Sequence, residues 1–165
     1  LGYGDDCWAH LTSGGTVANI EALWIARTVK YLPLVVSDMR AALGLPPSPG
    51  EPARGQPKHF ATGSPAERER VCALLRTPPG EALAGFHRCF TEAKGVLAAR
   101  GVAPEEATRR AIRAFLDSPF NVVERGLPAV CALVGSEPAL LVPESHHYCF
   151  EKAMDALGFG RRGLY

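Results

Sequence analysis

Ala139-Leu140-Leu141-Val142-Pro143-Glu144-Ser145-His146-His147-Tyr148-Cys149 is the stretch on which the fold reading turns. After Glu137-Pro138, four apolar residues in a row read as a short strand buried on both faces, as in a parallel sheet. Pro143-Glu144-Ser145 turns out of it, and His146 to Leu157 reads as a helix closed by Gly158. Strand, turn and helix make half of a βαβ unit. Its polar residues fall at the carboxyl end of the strand, where open α/β sheets bind ligands.

A second junction of the same kind lies far upstream. Thr12-Ser13-Gly14-Gly15-Thr16 stands directly ahead of an apolar run from Val17 to about Leu32. The first N–H groups of a helix have no intrahelical partner, and the helix dipole favours an anion there. Two glycines let a ligand approach the backbone, and the hydroxyls add donors. The turn therefore suits a phosphate; the plain alternative is that Ser13 or Thr16 only caps the helix. Asn19, Glu21, Arg27 and Lys30 are the polar relief in a helix apolar nearly all round, which predicts burial. Pro33 divides this helix from a second one, Leu34 to Leu43, closed by Gly44.

Between the two junctions the pattern is different. Residues 45–63 are rich in proline and glycine without periodicity and read as a loop or joint. Residues 64–126 read as small amphipathic helices. Ser64-Pro65-Ala66-Glu67 is a capping box with proline at the first helical position. Leu83, Phe86, Phe90 and Leu97 share a helix face that stops at Gly101, and Pro104-Glu105-Glu106 opens a helix burying Ala111, Ile112 and Phe115. Ser118-Pro119 starts a short turn ended by Gly126. Upstream of everything, Cys7 to Leu11 reads as a strand or an extended lead-in.

Composition narrows the class. With 165 residues, 47% hydrophobic and 21% charged, the chain holds one globular core. A net charge of +1 argues against nucleic acid or an anionic membrane as partner. No run approaches the roughly 18 apolar residues that span a bilayer, and no leader pattern opens the chain, so it reads as cytoplasmic. The five cysteines are scattered with no C-x-x-C pair, which suits reduced thiols rather than disulfides or zinc. The start at Leu1 and the end just past a helix stop read as a piece of a longer chain.

Rival chemistries fail on spacing or context. A P-loop needs lysine after its last glycine, and Thr16-Val17 stands there. Gly158 to Gly163 fits G-x-G-x-x-G but follows a helix instead of a strand. His146, His147, Cys149 and Glu151 lack the distal ligands of a metal site, so no metal is expected. Cys149 and His147, two apart on a helix, do not face each other as nucleophile and base. For His147 two readings stand: a helix-start histidine satisfied by hydrogen bonds, or a flat ring for stacking.

The two junctions together resemble the pyridoxal-phosphate-dependent group II amino-acid decarboxylases. His10-Leu-Thr-Ser-Gly-Gly-Thr-Val-Ala-Asn-Ile-Glu-Ala-Leu-Trp-Ile-Ala-Arg27 resembles the family's phosphate loop and following helix. Ser145-His-His-Tyr-Cys-Phe-Glu-Lys-Ala153, with Leu157-Gly-Phe-Gly160, resembles its H-Y-S-x-x-K-A motif and trailing L-G-x-G. The continuation Thr28 to Leu34 is most similar to bacterial tyrosine decarboxylases. The resemblance implies an α/β chain: part of the large domain of the type I pyridoxal-phosphate-dependent transferase (aminotransferase-like) fold with a mostly helical insertion. The pieces would be 1–44 (phosphate loop and helices), 45–137 (joint and insertion) and 138–165 (strand and histidine helix). It implies pyridoxal phosphate as cofactor, an aromatic, tyrosine-like amino acid as substrate, and a homodimer in the complete protein. Gly15 and Thr16 would contact the cofactor phosphate, Ser13 and Gly14 would shape the loop, and His147 would be the catalytic histidine stacked on the pyridine ring. Cys149 stands where the family has serine. The family's cofactor-linking lysine follows a histidine, and none of Lys30, Lys58, Lys94 and Lys152 does. The chain alone is therefore expected to decarboxylate nothing. The alternatives are another lyase of the same fold, or a truncated non-catalytic paralogue that binds a phosphate ligand or a partner.

Overall fold

The computed structural model describes residues 9–48 and 63–165. Cys7 and Trp8 of the expected lead-in, and most of the 45–63 joint, lie outside these residues. The described chain folds as seven helices: α1 (Gly15–Ala42), α2 (Pro65–Leu75), α3 (Pro79–Ala99), α4 (Pro104–Asp117), α5 (Val122–Arg125), α6 (Leu127–Val134) and α7 (Cys149–Ala156). A 3-10 turn over Arg161–Gly163 follows.

The second half of α1 is the axis of the core. Tyr31, Leu34, Val35 and Met39 are buried there with Cys89 and Ala93 of α3, Ala111 of α4, and Phe120, Val122, Leu127 and Val130. Each such large side chain contributes roughly 1.5–3 kcal/mol on removal from water. Two polar groups enter this wall with partners. Arg40 pairs with Glu92 of α3 at 2.8 Å and donates to the Pro46 carbonyl; Ser37 accepts from Arg70 of α2 at 3.1 Å.

Local signals set several boundaries. The Ser64 hydroxyl accepts from the Glu67 N–H, while the Glu67 carboxylate accepts from the Ser64 N–H at 2.7 Å, the reciprocal cap read from the sequence. Asn121 caps α5 by accepting from Val123 and Glu124. Helix α6, which sequence reading passed over, carries proline in its first turn and ends at Gly135, φ 74°.

Four main expectations are overturned, beside a smaller one: Ile112, expected to be buried with Ala111, is 43% exposed. The α/β fold is the largest: among the described residues there is no strand, only an isolated parallel bridge between Leu140 and Leu164. That bridge is real but short. Leu140 donates to the Gly163 carbonyl at 2.7 Å, Tyr165 donates back at 2.9 Å, and Val142 donates to Tyr165 at 2.8 Å. A run buried on both faces needs a ladder of paired strands covered on either side, and here the pairing among the described residues stops at one bridge. Leu141 is accordingly 80% exposed instead of buried on two faces. The chain is a helical array, not part of a type I transferase large domain. Second, Pro33 does not divide α1, which continues through it for 28 residues. Pro33 and its neighbours are buried, and that packing outweighs the backbone hydrogen bond lost at a proline. Third, the first half of α1 is not buried all round: Trp24 is 48% and Ile25 57% exposed. Fourth, α7 begins at Cys149, not His146, because His146 N–H closes a turn onto the Pro143 carbonyl at 2.9 Å.

Candidate functional site

Helix α1 opens without a side-chain cap. Gly14 precedes it in fully extended backbone (φ 164°, ψ 164°), and no hydroxyl accepts from the first turn, so Ser13 and Thr16 are not acting as caps. Thr12 instead turns its hydroxyl onto the Gly14 carbonyl at 3.1 Å, bracing the turn from outside. The first intrahelical bond in the turn is Ala18 N–H to the Gly14 carbonyl. That leaves the Gly15, Thr16 and Val17 N–H groups at the open end. No acid stands in this first turn to repel an anion. Among the described residues, a Cβ on Gly14 or Gly15 would meet nothing within 4 Å.

Helix α7 starts differently. His147 Nδ1 accepts the Cys149 N–H at 3.2 Å, a cap supplied by the imidazole. The hydrogen-bonded reading of this histidine is therefore present in the structure. The bond also fixes chemistry: with Nδ1 accepting, the neutral ring carries its proton on Nε2 and offers it outward. His147 remains exposed. Its ring lies against Tyr148, centroids 4.2 Å apart and tilted 43°, and the Lys152 ammonium sits 4.5 Å from the centre of the Tyr148 ring. His146 faces elsewhere, with Nδ1 3.0 Å from the Pro143 carbonyl oxygen and its ring near Phe150.

Two long-range bonds join α1 to α7. Asn19 Nδ2 donates to the Cys149 sulfur at 3.1 Å, and an Arg27 guanidinium N–H donates to the Leu157 carbonyl at 2.7 Å. Both pairs are separated by 130 positions. The same offset at both ends means that the helices run parallel and in register over eight residues, about 12 Å of axis. Gly15 lies one turn ahead of Asn19, and His147 lies two residues ahead of Cys149. The Gly14-Gly15-Thr16 turn and the histidine thus emerge at the same end of one helix pair. Cys149, in place of serine, is buried with its sulfur engaged by Asn19, so here the position ties two helices together.

The far end of the pair is held by Arg27, whose pKa is pushed down by burial, with Tyr31 opposing. Among the described residues its Nε is buried without a partner, so the Leu157 bond is the anchor they show. Helix α7 stops in a Schellman turn: Gly158 (φ 74°) donates to Asp155 and Phe159 donates to Met154 at 2.9 Å. Past it, Gly163 passes so close to α7 that a Cβ would meet the Pro138 carbonyl at 3.1 Å and Met154 at 3.2 Å.

Sequence reasoning missed Asn19, Arg27, Tyr148 and Lys152 as members of the site. A signal existed for the first two: polar residues eight apart in an apolar helix fall on one face. Among the described residues no three His, Cys, Asp or Glu side chains converge on a metal position. No helix among them is long and apolar enough to cross a membrane.

Two curated proteins show local similarity to this chain. One is the L-tyrosine decarboxylase of Enterococcus faecium, 44% identical over 34 residues, 21% of this chain and 6% of that protein. The other is the L-tyrosine decarboxylase of Levilactobacillus brevis, 40% identical over 43 residues, 26% of this chain and 7% of that protein. The similarity thus spans well under a tenth of either relative's length. No family model matches the chain, and no solved structure does.

Proposed function

We propose that this chain is part of a pyridoxal-phosphate-dependent decarboxylase, which removes the α-carboxylate of an aromatic, tyrosine-like L-amino acid and leaves the amine. The observation that carries this is the parallel tie of α1 to α7, which brings the Gly14-Gly15-Thr16 turn and His147 to one end. The local similarity to two tyrosine decarboxylases supports it. The cofactor's two ends also fit what is there: a dianion meets an uncapped helix start free of acids, and a flat ring meets an exposed imidazole.

When bound, pyridoxal phosphate supplies the electron sink for the pair left on Cα as carbon dioxide departs. The rest is binding and orientation by this chain. The Gly15 and Thr16 N–H groups hold the phosphate, assisted by the α1 dipole, with Ser13 and Gly14 shaping the turn. His147 presents a ring face whose orientation is set at Nδ1 by the Cys149 N–H. The lysine that links the cofactor in such enzymes follows a histidine, and no lysine of this chain does, so turnover requires residues beyond these. The complete enzyme would be a cytoplasmic homodimer taking a free amino acid as substrate.

The test uses pyridoxine phosphate, which has the ring and the phosphate but no aldehyde to react with surface lysines. Fluorescence titration of the chain should show saturable binding. Gly15→Asp puts a carboxylate in the phosphate seat, where like charges about 4 Å apart cost roughly 1–4 kcal/mol, fivefold or more in affinity. The same carboxylate favours the helix start, so the melting temperature should hold or rise. Equal binding by Gly15→Asp, or no binding by the unsubstituted chain, sinks the proposal.

A further inference from the structure

We propose that Lys152 is a positioning residue of this site: through Tyr148 it sets the plane of the His147 ring. The inference rests on the proposed function for what that plane faces, and on the structure for how it is held.

A single hydrogen bond at Nδ1 anchors the imidazole at one atom and leaves the ring free to swing about that anchor. A defined plane needs a second support. Tyr148 supplies it, with its ring centroid 4.2 Å from that of His147. Yet Tyr148 is itself 53% exposed, so packing does not fix its ring. Something must hold the Tyr148 ring in turn. Lys152 stands four residues on, the spacing at which helix side chains meet, and its ammonium lies 4.5 Å from the Tyr148 ring centre. No carboxylate among the described residues pairs with Lys152 and draws it away; Glu151 faces His146, 4.0 Å from its Nε2. Lysine, tyrosine and histidine therefore form a chain of supports, each fixing the next, that ends on the one ring face offered at the open end.

The test separates charge from bulk. Lys152→Met keeps the length and apolar stem and removes the ammonium; Lys152→Arg keeps a cation. Carbon–proton NMR of the unsubstituted chain should show the His147 ring protons displaced by the Tyr148 ring current. Lys152→Met should move them toward free-histidine positions, and Lys152→Arg should restore the displacement. Tyr148→Leu should abolish it and serves as the reference for complete loss. Affinity for pyridoxine phosphate should fall about two- to fivefold in Lys152→Met, the range of one cation–π contact at an exposed site, and recover in Lys152→Arg. Unchanged His147 shifts in Lys152→Met overturn the proposal. So does a lost shift with full affinity, which would leave Lys152 a surface contact with no bearing on the site. No binding by the unsubstituted chain is a different failure, that of the proposed function, and it removes the role of Lys152 with it.

Discussion

Replacing Arg27 by methionine tests the joint between the two halves of the site. Methionine keeps an apolar stem between α1 and α7 and deletes the bond to the Leu157 carbonyl, 2.7 Å long in the structure. A hydrogen bond from a charged donor is worth about 1.5–3 kcal/mol, and a cation at a helix carboxyl end adds about 0.3–1 kcal/mol. Against this, the substitution also removes the buried Nε, partnerless among the described residues, whose desolvation costs about 1–3 kcal/mol. The opposing effects leave a net loss of about 1 kcal/mol, or about 2–4 °C in melting temperature for a chain of this size. The effect should be local, since α7 meets the rest of the molecule mainly through α1. Amide exchange in Ala153 to Leu157 should therefore accelerate about fivefold, while amides of α3 near Cys89 and Ala93 keep their protection. Equal acceleration in α3 and α7, or none in α7, would refute the claim that Arg27 anchors the parallel pair.

Other substitutions probe the scaffold. Ser64→Ala should cost about 1 kcal/mol and fray α2, read as a loss of helical circular dichroism at moderate temperature. The Ser64 N–H and hydroxyl hold the Glu67 carboxyl below its usual range, so this cap is present above about pH 4.3 and is lost as pH falls through the lowered folded value; an acid titration of α2 amide shifts reads it. Asp38 runs the other way, with burial pushing its carboxyl up against the opposing Ser118 bond. Its charge costs stability at neutral pH, and that cost fades as pH falls toward about 3.9, so Asp38→Asn should melt higher than the unsubstituted chain at pH 7 and lose the advantage in acid. Phe120, 1% exposed at the centre of the core, should cost about 3–5 kcal/mol when cut to alanine, measured by urea unfolding.

What was legible in the sequence was local. The Ser64–Glu67 cap and the glycine stop at Gly158 are written in a few adjacent residues, and both stand in the structure. Pro33 misled because a proline's local cost was weighed without the burial of Tyr31 to Met39 that offsets it. The Ala139 to Val142 run misled because strand pairing is not a property of the strand: its apolar residues say nothing about whether neighbours lie on both edges. The start of α7 shifted from His146 to Cys149 because the His146 N–H closes a turn onto the Pro143 carbonyl, and the His147 ring then accepts the Cys149 N–H at the helix start. The Asn19–Cys149 and Arg27–Leu157 bonds join residues 130 apart, beyond any local pattern. The candidate site itself was half visible: its two motifs could be read, but their common end could not.

Chemical-shift mapping with a single ligand tests that common end most directly. The nitrogen-labelled chain is titrated with pyridoxine phosphate while the amides of Gly14 to Thr16 and of His147 to Cys149 are followed. The account predicts that both groups shift together along one saturation curve with one dissociation constant, and that inorganic phosphate moves only the first. Two separate curves, or shifts at one group with the other silent, would contradict it.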